Sequence, residues 1–228
     1  MEAKELNTTT ASFTENREGG LMICGINWGG SEEETPNDGD TLKKEKKSFF
    51  SDADVNNWPY RNRLLTWFEL FGHPLKTTEN MSNQFERSII QTNWLSSQSK
   101  NMAGKSLRAE CIREWDNFEW HVQTIRPKII IFLSVSLLDT LNSSACAEKA
   151  NLLLGKPEKS NFYRKTVFSN GKVLKRFRVG VQNFKNTTVI ALPHPTGSIG
   201  LSNNYIQSFK PEVYPILEKY KNERGFNQ

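Results

Sequence analysis

The run KIIIFLS at residues 128–134 constrains this chain more than any other stretch. Its core, IIIFL, holds five apolar residues in a row, follows Pro127 closely and stops at Ser134. That is too short for an independent helix. A strand wetted on one face would alternate apolar with polar residues, and this one does not. The run therefore reads as a strand covered on both faces, the situation of a central strand in a parallel sheet with helices on either side.

Three further strands are expected: LMICG at 21–25, buried; RSIIQTNW at 87–94, ending on polar Asn93; and TTVIAL at 187–192, the last core strand. Helical patterns separate them. In WPYRNRLLTWFELFG the apolar residues Leu64, Leu65, Trp67, Phe68 and Phe71 fall on one helical face, ended by Gly72 and Pro74. KSLRAECIREWDNFEWHVQTI at 105–125 predicts one long amphipathic helix, stopped by Pro127. VFSNGKVLKRFRVGV at 167–181 predicts a β-hairpin about Asn170-Gly171, with Val173, Phe177, Val179 and Val181 on one face and Arg176 and Arg178 on the other. The expected fold is α/β: a three-layer α/β/α domain with a central four-stranded, mostly parallel sheet, plus an inserted β-hairpin.

The 228 residues suit one domain with a sizeable core, expected over residues 21–228, with residues 1–20 a frayed or disordered N-terminal tail. That tail has no apolar secretory core. Mean hydropathy is −0.60, and no apolar run approaches the roughly 20 residues of a membrane helix. A cytoplasmic chain without membrane contact, acting as a monomer, is expected. Cys24, Cys111 and Cys146 are odd in number and far apart, which points to reduced thiols and away from a zinc or iron–sulfur site. We expect no metal and no cofactor. The triplet Glu32–Glu34 reads as solvated carboxylates, and AGKS at 103–106 lacks the earlier glycine of a phosphate loop. A net charge of +5 and a pI near 9.0 fit a polyanionic partner.

In a parallel α/β sheet, ligands bind beyond the carboxyl ends of the strands. Three of those ends carry polar residues here: Asn27, Asn93 and His194. His73 and His121, in a turn and on a helix, read as structural.

The stretches GINWGG, IIQTNW and LPHPTGS, in that order, resemble the three signatures of the uracil-DNA glycosylase superfamily. The resemblance spans residues 21–220 and includes the helix WPYRNRLLTWFEL. It implies a DNA glycosylase that flips a pyrimidine from the duplex and hydrolyses its N-glycosidic bond, leaving an abasic site. Asn27 would then hold the attacking water, Asn93 would read the base edge, and His194 would contact the base carbonyl. Phe49 or Phe50 would stack on the flipped base, with Gly25, Ile26, Trp28 and Gly29 lining its pocket. On the loop after His194, the resemblance puts Thr196, Gly197 and Ser198 against DNA and makes Ile199 or Leu201 the wedge that fills the gap. Lys100, Lys105, Arg176 and Arg178 are candidate phosphate contacts, which position rather than specify.

One departure from the family sharpens the expectation. The strict uracil enzymes carry a Pro and a Tyr that blocks pyrimidine C5, where this chain has Trp28 and Gly29. A side chain missing at Gly29 opens that space. The favoured substrate is therefore a C5-substituted pyrimidine, such as a mispaired thymine or the hydroxymethylated or glucosylated cytosines of phage DNA, the latter placing the enzyme in antiviral defence. The alternatives are a conventional uracil or mismatch-thymine repair glycosylase, or an inert module that only binds modified DNA. A small-molecule α/β hydrolase is disfavoured by the lack of a G-x-S-x-G elbow.

Overall fold

The computed structural model describes residues 6, 8, 10–28, 59–75, 77–78, 81–97, 104–169, 172–174 and 177–226. Gly29, Phe49, Phe50, Lys100, Arg176 and the Asn170-Gly171 dipeptide lie outside them.

The elements follow as α1 (Thr14–Arg17), β1 (Leu21–Gly25), α2 (Pro59–Leu70), β2 (Thr77–Thr78), β3 (Met81–Ser82), α3 (Gln84–Arg87) and β4 (Ile89–Asn93). Next come α4 (Leu107–Arg113), α5 (Trp115–Ile125), β5 (Ile129–Phe132), α6 (Val135–Leu141), α7 (Ala147–Leu154) and β6 (Asn161–Tyr163). The chain continues through β7 (Val167–Ser169), β8 (Lys172–Leu174), β9 (Val179–Asn183), β10 (Thr188–Ala191), α8 (Asn203–Gln207) and α9 (Lys210–Arg224).

One sheet organises them, in the order β4-β1-β5-β10-β9-β6. The first four strands are parallel, and β9 and β6 each run antiparallel to the preceding neighbour. Both faces are covered. Leu21, Ile23, Ile129, Ile131 and Ile190 pack with α2, α8 and α9 on one side. Met22, Cys24, Ile130, Phe132 and Val189 pack with α4, α5, α6 and α7 on the other. The uninterrupted apolar runs of β1 and β5 follow directly from this double burial.

The sheet corrects the expectation of four strands: among the described residues it has six. The reason lies in 167–181, which is not one hairpin. Only β7 and β8 form a two-stranded ribbon, pairing Ser169 with Lys172. Val179 and Val181 belong instead to β9, which gains hydrogen bonds from β10 on one edge and β6 on the other. A strand with two partners and buried valines is more stable than one arm of an isolated ribbon. The expected single helix over 105–125 is likewise two, broken at Glu114, whose φ is −101° and ψ 28°. Its carboxylate accepts from the Ser96 N–H at 2.7 Å and the Ser96 hydroxyl at 2.9 Å, tying the break to the loop after β4.

Residues 10–20, within the expected tail, include α1 and several buried side chains. Thr10 is buried and its hydroxyl accepts from the Gln91 N–H at 2.9 Å, while Thr8 donates to the Gln91 carbonyl at 2.5 Å. These hydroxyls occupy the open edge of β4, where unpaired backbone groups would otherwise invite another strand. Arg224 of α9 donates to the carbonyls of Glu15 and Glu18 at 2.8 and 2.9 Å, binding this segment to the C-terminal helix. Among the described residues, no helix is long and apolar enough to cross a membrane.

Candidate active site

In chain order the parallel strands run β1, β4, β5, β10, yet β1 lies between β4 and β5. The connection from β1 goes one way and that from β4 returns past it. In sheets of this topology such a reversal, here between β1 and β5, marks the place outside the carboxyl ends of the strands where ligands bind.

At that end of β4, Asn93 pairs in register with Gly25 of β1. Its backbone is held from behind. Asn117 of α5 donates to the carbonyls of Asn93 and Trp94 at 3.2 and 2.9 Å, and the buried Trp94 ring stacks on Phe118 at 4.1 Å. The Asn93 side chain leans across β1. A Cβ added to Gly25 would lie 2.2 Å from Asn93 Oδ1, so the amide occupies the space a side chain would need. Gly25 is glycine because of this close approach. The Asn93 amide itself makes no hydrogen bond among the described residues.

β1 continues alongside the next turn of β4: the Gly25 carbonyl accepts from Trp94 N at 3.0 Å and Ile26 from Leu95 N at 2.9 Å. This pairing carries Asn27 and Trp28 past the strand end, both half-buried. The Trp28 indole N–H is buried without an acceptor among the described residues.

His194 stands three residues beyond β10, between the buried Pro193 and Pro195. Its Nδ1 accepts from the Gly197 N–H at 2.8 Å and the Thr196 N–H at 3.3 Å. Those two donors settle the tautomer: in the neutral ring the proton sits on Nε2. Burial lowers the His194 pKa below the ordinary histidine value, which keeps the ring neutral near pH 7. Nε2–H is thus a donor with no partner among the described residues. At Gly197 an added Cβ would fall 3.0 Å from Nδ1, so a larger residue would press on the ring.

Two residues here were not anticipated. Arg63 of α2 donates through Nη1 to the Pro195 carbonyl at 2.7 Å and through Nη2 to the Leu201 carbonyl. Tyr60, one turn earlier, stands between the two halves of the site. Its hydroxyl is 3.8 Å from the point a Gly25 Cβ would occupy, and its ring centre is 6.4 Å from that of His194. Both fall in the helix WPYRNRLLTWFEL, which the resemblance covers without giving either residue a role. Their further signal was the helical face they share with the core-facing residues of α2.

The remaining expected residues divide. Thr196, Gly197 and Ile199 are exposed, Ser198 is half-buried, and Lys105 is exposed just before α4. Ile199 is 81% exposed. Of the two wedge candidates, Leu201 is packed into the core with Tyr205 and Phe209, whereas Ile199 is an exposed apolar side chain of the loop. Arg178 pairs with Asp139 and lies 4.3 Å over the Phe162 ring, so its charge is already engaged within the fold. All three cysteines are buried and unpaired, and among the described residues no three His, Cys, Asp or Glu side chains cluster as metal ligands would.

The fold is a doubly wound α/β sheet that carries two amides, a histidine kept neutral by burial and a phenol at the carboxyl ends of its strands. No family model matches the chain, and no curated protein is significantly similar to it.

Proposed function

We propose that this chain is a monofunctional DNA glycosylase acting on a flipped, C5-substituted pyrimidine. The observation that carries the reading is the His194 ring, held neutral with no partner for Nε2–H among the described residues, at the same carboxyl end of the sheet as Asn27 and Asn93. Cleaving C1′–N1 leaves positive charge on the sugar and negative charge on the base, spread onto its carbonyl oxygen. A donor already aimed at that oxygen stabilises the charge as it forms, and removing such a donor typically costs about 10²–10³-fold in rate. Water adds to C1′, its proton passes to solvent, and the base leaves with the bonding pair.

Asn27 would orient that water through its amide oxygen. As a neutral group it is a weak base, so most of the acceleration would come from position. Extruding the base from the stack costs a few kcal/mol, least for mispaired or modified bases. Asn93 offers one donor and one acceptor to the pyrimidine edge, which suits cytosine-like and uracil-like bases alike. The neutral amide at Asn27 also favours a second reading, an inert module that binds modified DNA without cutting it.

Incubation with duplexes carrying uracil, mispaired thymine, hydroxymethylcytosine or glucosylated hydroxymethylcytosine, followed by alkali, separates these. The glycosylase reading expects alkali-labile sites on a C5-substituted duplex, lost in Asn27→Ala and reduced at least about tenfold in His194→Ala with little change in binding. Tight binding without strand scission in any duplex would favour the inert module.

A further inference from the structure

The Tyr60 hydroxyl is buried, yet it has no hydrogen-bond partner among the described residues. An orphaned hydroxyl in a folded interior is destabilising, and a binding partner supplied by a ligand is one explanation for its persistence. Its position is specific. The hydroxyl and Asn93 Oδ1 both lie within 3.8 Å of a single point above Gly25, close enough for both to meet neighbouring edge atoms of one planar base. The same ring faces His194 at 6.4 Å, tilted by 55°.

We propose that the Tyr60 hydroxyl is a third polar contact to the flipped pyrimidine, bonding an edge atom that the Asn93 amide leaves free. This rests on the glycosylase reading and extends it to a residue of the helix after the first motif. An amide can serve two neighbouring edge atoms, one as donor and one as acceptor. A phenol adds a third contact and can itself donate or accept, so it tolerates either a carbonyl or an amine at that position. Burial pushes the Tyr60 pKa upward, so the phenol stays protonated and neutral throughout the working range. The ligand class is a planar pyrimidine with a polar atom on the side facing α2.

Tyr60→Phe removes one oxygen and leaves the ring. Three measurements test it: urea unfolding, kcat and KM on a cleavable C5-substituted duplex, and retention of a duplex carrying the 2′-fluoro, non-hydrolysable form of the same nucleotide. The expected result is stability equal to or above wild type, with KM raised and analogue binding weakened by roughly threefold to tenfold, the worth of one hydrogen bond. A fall in stability would mean the hydroxyl has a partner within the protein, and unchanged KM and binding would mean it never meets the base; either overturns the proposal. If the wild type holds the analogue but cleaves nothing, and Tyr60→Phe loses that hold, the Tyr60 contact stands and the catalytic reading falls. A wild type that neither cleaves nor retains any duplex overturns both.

Discussion

The Arg63 guanidinium and the Pro195 carbonyl lie 2.7 Å apart, and the second arm of the same guanidinium reaches the Leu201 carbonyl. One helical side chain therefore spans the loop that begins at His194, joining it to α2 and so to the sheet.

Arg63→Ala should lower both stability and excision. Hydrogen bonds from a charged donor contribute about 1.5–3 kcal/mol each, and a site displaced by an ångström can lose about 10²-fold in rate. Arg63→Lys keeps the charge but lacks the fork that meets two carbonyls, so it should fall between. Urea unfolding and the ¹⁵N shifts of the His194 ring report the two effects separately. Unaltered His194 shifts in the Ala variant would show that the loop holds its own shape.

Gly25→Ala forces a methyl to within 2.2 Å of Asn93 Oδ1. Overpacking of this kind costs about 1–3 kcal/mol. Because the clash is with one side chain, the penalty should shrink when Asn93→Ala is added, a non-additive pair in a double-mutant cycle. Excision should be lost in all three variants. Equal penalties with and without the Asn93 amide would place the strain in the backbone instead.

Stability should fall as pH drops below about 6.5. Burial lowers the pKa of both His194 and His73, against the weaker opposing effect of the Tyr214 carbonyl on His73. A histidine whose folded pKa is depressed takes up its proton more readily in the unfolded chain. Its neutral form is favoured above the unfolded value, and the folded state loses ground as pH falls toward the folded value. His194→Ala removes one of the two groups, so chemical unfolding between about pH 7.5 and pH 5 should show a shallower acid decline than wild type. Superimposable curves would mean that His194 titrates alike in both states.

The two apolar residues of the loop should behave oppositely. Ile199→Ala, at 81% exposure, should change stability by no more than about 0.5 kcal/mol. If Ile199 fills the gap left by a flipped base, excision should fall in duplex DNA and persist in single-stranded DNA, which has no stack to refill. Leu201→Ala empties a core site and should cost about 2–5 kcal/mol whatever the substrate. Equal losses on both DNA forms for Ile199→Ala would remove it from the wedge role.

Much of the architecture was legible in the chain alone, and for one reason. The residues of β1, β5 and β10 lie between two helical layers, so burial on both faces leaves unbroken apolar runs that end abruptly where the strands leave the core. Asn27 and His194 stood out for the same reason, each being the first strongly polar residue beyond such a run, whereas Asn93, which follows Gln91 and Thr92 in β4, stood out as the polar end of its strand. Local periodicity, turn residues and strand ends are properties of neighbours in sequence, and these the sequence determines by itself. The tertiary structure alone decided the rest, because it depends on partners far along the chain. Val179 and Val181 joined the main sheet through pairing with β10 and β6, a choice no local pattern distinguishes from a hairpin arm. Leu201 and Ile199 are both apolar, and only packing against Tyr205 and Phe209 buries the first and leaves the second in solvent. Glycine at 25 acquires its meaning from an amide 68 residues later, and Arg63 from carbonyls more than 130 residues away. Side-chain contacts across such separations are set by the three-dimensional meeting of elements, and a one-dimensional pattern carries no trace of them.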